Sequence, residues 1–143
     1  MTTIAYKNGV MAADRQVSNE AYLQKTNAVK IIKHNGCLVG TCGTCSGGNM
    51  FIRWFKDETT DDEARDIFEE DSDYSAIVVD GDGIWLYDHL LNYEKVDMDY
   101  FAIGSGGKIA MALMEAGHEA EESVRIASNH DLYSGGKIDV LEL

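Results

Sequence analysis

This sequence is short of positive charge. Twelve Lys and Arg stand against 25 Asp and Glu, a formal net charge of −13. A chain so short of cations is a poor partner for nucleic acid or an anionic membrane, both of which need a basic surface. Long apolar runs are missing too, with nothing approaching the roughly 18 residues that span a bilayer. The N-terminus lacks a basic stretch followed by an apolar core, so no signal peptide is expected. These absences together predict a cytoplasmic protein. Cysteines number only three, Cys37, Cys42 and Cys45, and an odd set in a reducing compartment argues against a disulfide framework. There are no internal repeats and no low-complexity linkers, and 143 residues predict one domain over 1–143 with a two- or three-layer core.

What charge there is lies unevenly. Between Asp57 and Asp73 ten carboxylates accompany a single cation, Arg65. Such a run reads first as a solvated face and only second as a docking surface for a basic partner.

Taken in order, Thr3-Ile4-Ala5-Tyr6 alternates as a strand and Lys7-Asn8-Gly9 carries the Asn-Gly pair of a tight hairpin. Val10 to Ala13 returns as its partner, with Asp14 where strand gives way to loop. Residues 15–27 are polar and weakly patterned. Ala28 to Lys33 reads as a strand containing Lys30, turned by Asn35-Gly36 into Cys37–Cys42. A small-residue run, 43–48, leads into the apolar Met50–Phe55 helix. Asp61 to Glu70 is a second helix with acids in its first turn. Ser75–Val79 and Gly83–Tyr87 flank a hairpin turn at Asp80-Gly81-Asp82, and the remaining ligands of a calcium loop are absent there. An irregular stretch from Leu90 to Asp99 precedes the strand Tyr100–Ile103. Helices over Lys108–Ala116 and Glu119 to about His130 follow, and Lys137–Leu143 closes as a strand. Strand runs separated by helix pairs predict an α+β sandwich of antiparallel sheets with helical outer layers.

Several residues could carry chemistry. Trimming Met1 would leave Thr2 with a hydroxyl beside a free α-amine of pKa about 7.7–8.0, a nucleophile with its own base; the plain alternative is an edge strand that happens to begin Met-Thr-Thr. Lys30 beside Asp14 could hold a positive charge near that nucleophile, or could be a half-exposed strand lysine. Gly43 offers an unhindered N–H of the kind that stabilises an oxyanion, or simply a strand-to-helix turn. Gly104-Ser105-Gly106-Gly107 lacks the complete dinucleotide and Walker patterns and the spacing of a serine-hydrolase elbow. Zinc is disfavoured, because Cys37 and Cys42 sit about 16 Å apart along a strand, and no other metal or cofactor is expected.

The pattern Thr2-Thr3-Ile4, Val10 to Asp14, Lys30, Gly40-Thr41-Cys42-Gly43, Gly104-Ser105-Gly106 and Asp131-x-x-Ser134-Gly135-Gly136 resembles the proteasome β-subunit family, and within it the bacterial HslV-type peptidases. The resemblance implies a four-layer α-β-β-α sandwich, the N-terminal nucleophile hydrolase fold. It implies that Thr2 attacks a peptide carbonyl with its α-amine as general base, that Lys30 with its partner Asp14 supplies a positive field, and that Gly43 donates to the oxyanion. Ser105, Asp131 and Ser134 would hold the amine and its water, and Thr41 and Cys45 would line the substrate pocket. A homo-oligomeric ring acting on peptides or unfolded protein is implied as well. Between Trp54 and Tyr74 the chain departs from the family as a shortened member, where relatives meet a cap or an unfolding ATPase, so an HslU-type partner does not carry over. An inactive scaffold of the same fold, or an amidase for small amides, are the alternatives.

Overall fold

The computed structural model describes residues 2–18, 23–25, 28–70 and 74–143. Among these the chain runs β1 (Ile4–Lys7), β2 (Val10–Asp14), β3 (Gln16–Ser18), β4 (Leu23–Lys25), β5 (Ile31–His34) and β6 (Cys37–Gly43). It continues through α1 (Cys45–Phe55), α2 (Asp61–Glu70), β7 (Tyr74–Asp80), β8 (Gly83–Tyr87), β9 (Tyr93–Val96) and β10 (Tyr100–Ile103). The last elements are α3 (Gly107–Glu115), α4 (Ala120–Ser128) and β11 (Ile138–Glu142).

Two antiparallel sheets face each other, one ordered β10-β1-β2-β11 and the other β5-β6-β7-β8-β9. Period-two alternation makes this possible, because each strand has one row of side chains to bury on either face. Ile4, Tyr6, Met11 and Ala13 from the first sheet meet Ile31, Leu38, Ile77 and Val79 from the second, filling the space between them. The opposite face of the first sheet presents Ala5, Ala12 and Ala102 to Ala110, Met114, Val124 and Ala127 of α3 and α4. Small strand residues there let the helices lie close. The second sheet's outer face packs Val39, Ala76 and Val78 against Met50 and Phe51 of α1 and Ala64 of α2. The result is the expected α-β-β-α order of layers.

Local chemistry explains the turns and the ends. Asn8 and Gly9 have φ of 52° and 81°, and Asn35 and Gly36 have 49° and 75°, the left-handed pair that a two-residue hairpin of this hand requires. Thr44 caps α1 by accepting from Gly47 N at 3.2 Å, satisfying an otherwise orphaned donor. Trp54 Nε1 donates to Asp61 Oδ1 at 2.6 Å and ties α1 to α2. Lys7 Nζ donates to the carbonyls of Met114 and His118 at 2.9 and 3.0 Å, placing a cation on the C-terminal end of α3. At Asp80-Gly81-Asp82, Asp80 Oδ1 accepts from Asp82 N, Gly83 N and Trp85 Nε1, which accounts for that carboxylate structurally.

Two sequence expectations change. The segment 15–27, read as unpatterned, contains the short β3–β4 ribbon, pairing Gln16 with Lys25 and Ser18 with Leu23. Lys30 is not inside a strand: β5 begins at Ile31, and Val29 is 56% exposed while Ile31 is buried. The ladder with β6 starts at Ile31↔Gly40, and Lys30, just ahead of it, is tied to β6 by a backbone bond from Thr41 N to its carbonyl at 3.0 Å.

Candidate active site

The site lies at one end of the inter-sheet space, where β1, β2, β6 and the β10–α3 turn come together. Thr2 precedes β1 and is buried. Its carbonyl accepts from Gly106 N at 3.3 Å and is reached by Ser105 Oγ at 3.4 Å. On the next residue, Thr3 N donates to Asp14 Oδ1 at 3.0 Å. The peptide bond between Thr2 and Thr3 is thus held at its C=O by the β10–α3 turn and at its N–H by the end of β2. Glycine is required for so close an approach: Gly104 has φ +93°, and a Cβ there would fall 2.0 Å from the Thr2 carbonyl oxygen.

Asp14 is fully buried and satisfied on both oxygens. Oδ1 accepts from Thr3 N and from Lys30 Nζ, each at 3.0 Å. Oδ2 accepts from Gln16 N at 3.2 Å and Gly135 N at 2.9 Å. Buried ions are tolerated when paired and hydrogen-bonded in this way. Lys30 Nζ also donates to the Gln16 carbonyl at 2.7 Å. Burial pulls the Lys30 ammonium below the ordinary lysine range, against the opposing pull of Asp14.

Thr2, Lys30, Thr41, Gly43 and Cys45 line one cleft of about 510 Å³. Thr41 N donates to Lys30 O at 3.0 Å. Two residues further along β6, strand alternation turns the Gly43 N–H toward that same edge, beyond the start of β5. Gly43 itself has φ +102°, a conformation glycine adopts without a Cβ penalty. Cys45, at the exposed first position of α1, brings the positive end of a helix dipole to the cleft's rim.

Behind Thr2 and Thr3 sits a second carboxylate. Ser105 Oγ and Ser134 Oγ both donate to Asp131 Oδ2, at 2.6 and 2.5 Å, and Ser134 Oγ lies 2.7 Å from Thr3 Oγ1. All nine residues singled out in the sequence therefore fall into two adjoining groups, the cleft set and the Asp131 set, joined by Thr3 and Asp14. Sequence reasoning missed Thr3 and Gln16. Gln16 follows Asp14 by two residues and gives its carbonyl to Lys30, its N–H to Asp14 and its Nε2 to Leu132 O at 3.0 Å. Among the described residues no cluster of three or more His, Cys, Asp or Glu is placed to hold a metal ion. None of their helices is long and apolar enough to cross a membrane.

No protein-family profile and no curated protein matches the sequence. Solved structures do. The chain is similar to Thiobacillus denitrificans BPH in complex with epoxomicin, with TM-score 0.70 and 19% identity over 99% of this chain and 98% of that one. It is similar to Thiobacillus denitrificans BPH with TM-score 0.72 and 20% identity, over 99% and 97% of the two chains. Eukaryotic HslV from Trypanosoma brucei matches with TM-score 0.65 and 24% identity, over 99% of each. This chain shares the fold of these structures, an α-β-β-α sandwich of two antiparallel sheets. The matches cover nearly the whole of each chain on both sides.

Proposed function

We propose that this protein is a threonine-type peptidase whose nucleophile is Thr2 after loss of Met1. The observation that carries the reading is the convergence on one cleft of Thr2, Gly43 and Lys30, with Lys30 held by the buried carboxylate of Asp14 at 3.0 Å. The α-amine of Thr2, through a water, takes the hydroxyl proton as Oγ attacks a peptide carbonyl. The Gly43 N–H donates to the oxyanion that forms. Lys30 lends positive potential at the nucleophile, and Ser105, Asp131 and Ser134 hold the amine end. An ester on Thr2 forms, the amine product leaves, and water hydrolyses the ester.

Thr41 and Cys45 form part of the pocket wall for the substrate side chain. The domain works as a homo-oligomeric assembly in the cytoplasm, acting on peptides or unfolded protein. The α3–α4 pair covering one sheet supports assembly through that face, and the acidic α2 gives no support for docking of an unfolding ATPase.

The deciding experiment combines intact mass with inhibition. Loss of Met1, a covalent peptide epoxyketone adduct on Thr2, and abolition of peptide cleavage by Thr2→Ala are the expected results. A chain that retains Met1, forms no adduct and cleaves peptides equally well as Thr2→Ala rules the reading out and favours a scaffold of the same fold. Cleavage of small amides but not of peptides identifies the amidase alternative.

A further inference from the structure

Thr3 links the two carboxylates of the site, bonding Asp14 directly and Asp131 through Ser134. Its backbone N–H donates to Asp14 Oδ1 at 3.0 Å, and its hydroxyl oxygen lies 2.7 Å from Ser134 Oγ. The direction of that second bond follows from proton counting. Ser134 has one hydroxyl proton and places it on Asp131 Oδ2 at 2.5 Å, so it receives the proton of Thr3. A chain of hydroxyls therefore runs from Thr3 through Ser134 to Asp131, each bond polarising the next in a buried setting. Ser105 reaches the same Asp131 oxygen at 2.6 Å and approaches the Thr2 carbonyl at 3.4 Å, so the chain bends back to the residue next to the one it started from.

Thr3 is fully buried, and the fold leaves space for its hydroxyl at another residue's expense. A Cβ at Gly106 would come within 1.9 Å of Thr3 Oγ1. A β-branched hydroxyl packed against glycine backbone has its rotamer fixed on both sides. The side chain is also one residue from the nucleophile, so its position sets that of the Thr2 Cα directly. Near a reacting centre, misplacement on the scale of an ångström is enough to cost a large part of the rate.

We propose that Thr3 is a positioning residue, whose hydroxyl locks the Thr2–Thr3 peptide between the Asp14–Lys30 pair and the Asp131 hydroxyl chain so that Thr2 Oγ faces the cleft. The inference rests on the peptidase reading above. A threonine present only to fill the core would contribute its volume; this one contributes an aligned proton.

The test is steady-state kinetics on chains shown by intact mass to have lost Met1, comparing the parent with Thr3→Ala, Thr3→Val and Thr3→Ser. Thr3→Ala and Thr3→Val are expected to lower kcat at least ~10-fold with KM within about twofold, the pattern of an interaction needed only on the way to the transition state. Thr3→Ser keeps the hydroxyl and is expected to recover kcat to within about threefold of the parent. Thermal unfolding run alongside separates folding from positioning, and Thr3→Ala, which adds no atom against Gly106, serves if Thr3→Val fails to fold. An active parent whose kcat survives in Thr3→Ala, with only the melting temperature lowered, overturns the inference and leaves the peptidase reading intact. So does a Thr3→Ser variant as impaired as Thr3→Ala. A folded, Met1-free parent that cleaves no peptide overturns the peptidase reading and this inference with it.

Discussion

Lys30 Nζ and Asp14 Oδ1 meet at 3.0 Å in the buried floor of the cleft. The pair sits between the Thr2–Thr3 peptide bond and the start of β5, and each partner has further bonds that hold it there. Removing one partner takes from the other a charge-assisted bond made out of reach of solvent.

Asp14→Ala should therefore be costly, on the order of 3–5 kcal/mol of stability, because it removes from a buried site the countercharge of Lys30 and the acceptor of Thr3 N, Gln16 N and Gly135 N. Denaturant unfolding measures this. Peptide cleavage should be lost in the same variant. A loss below about 1 kcal/mol, the size of an exposed pair, would mean that the ion pair is solvated in solution.

Lys30 also sets an expectation for pH. Its proton affinity is lowered in the folded state, chiefly by burial, so between its folded pKa and the ordinary lysine value of about 10.4 the unfolded chain binds more protons. Stability from this group consequently rises with pH across that window, and the burial cost of the ammonium is present in full below it. Activity should move the opposite way, since the field at Thr2 disappears as Lys30 loses its proton. The alkaline limb of kcat/KM is expected below pH ~10.4, and its absence up to that pH would remove Lys30 charge from the mechanism.

Gly104→Ala tests the close approach of the β10–α3 turn to Thr2. A side chain there faces both the penalty of a positive φ, about 1–2 kcal/mol, and a collision with the Thr2 carbonyl. The variant should melt at lower temperature and lose cleavage together. Gly81→Ala, in a hairpin turn where a Cβ meets nothing within 4 Å, serves as the control and should retain activity.

Phe51 addresses the fold alone. It is fully buried with the rings of Trp54, Tyr74 and Tyr87 centred 5.3–5.8 Å away. Phe51→Ala should cost about 3–5 kcal/mol, read by denaturant unfolding, while leaving the geometry of the cleft's Lys30–Asp14 pair in place.

The parts that sequence made legible are those with local causes. Asn8-Gly9 and Asn35-Gly36 announced their hairpins because few other residues accept two successive left-handed conformations. The acidic first turn of α2 and its limits at Asp61 and Glu70 followed from helix-end electrostatics and spacing. The β3–β4 ribbon was not legible, because Gln16-Val17-Ser18 and Leu23-Gln24-Lys25 offer little apolar alternation. Lys30 was misplaced into its strand because Val29 and Ile31 look alike in sequence, although only one of them has a partner across the core. Thr3 and Gln16 carried no signal, since their roles consist of bonds made by their own backbone atoms or by their side chains to residues more than a hundred positions away. The grouping of Thr2, Lys30 and Gly43 came from resemblance, and no local pattern would have supplied it.

The pairing of β1 has a consequence for processing. Ile4 is matched to Ile103 on one side and to Ala13 on the other, and sliding either pairing by one residue would turn the buried row of side chains outward. The strand is thereby a ruler with its zero mark at Ile4. It counts two residues back to the cleft whatever the length of chain beyond them, so an end trimmed one residue too far cannot creep forward to present Thr3 in place of Thr2. On the peptidase reading, removal of Met1 must be accurate to a single peptide bond, because the sheet cannot correct it.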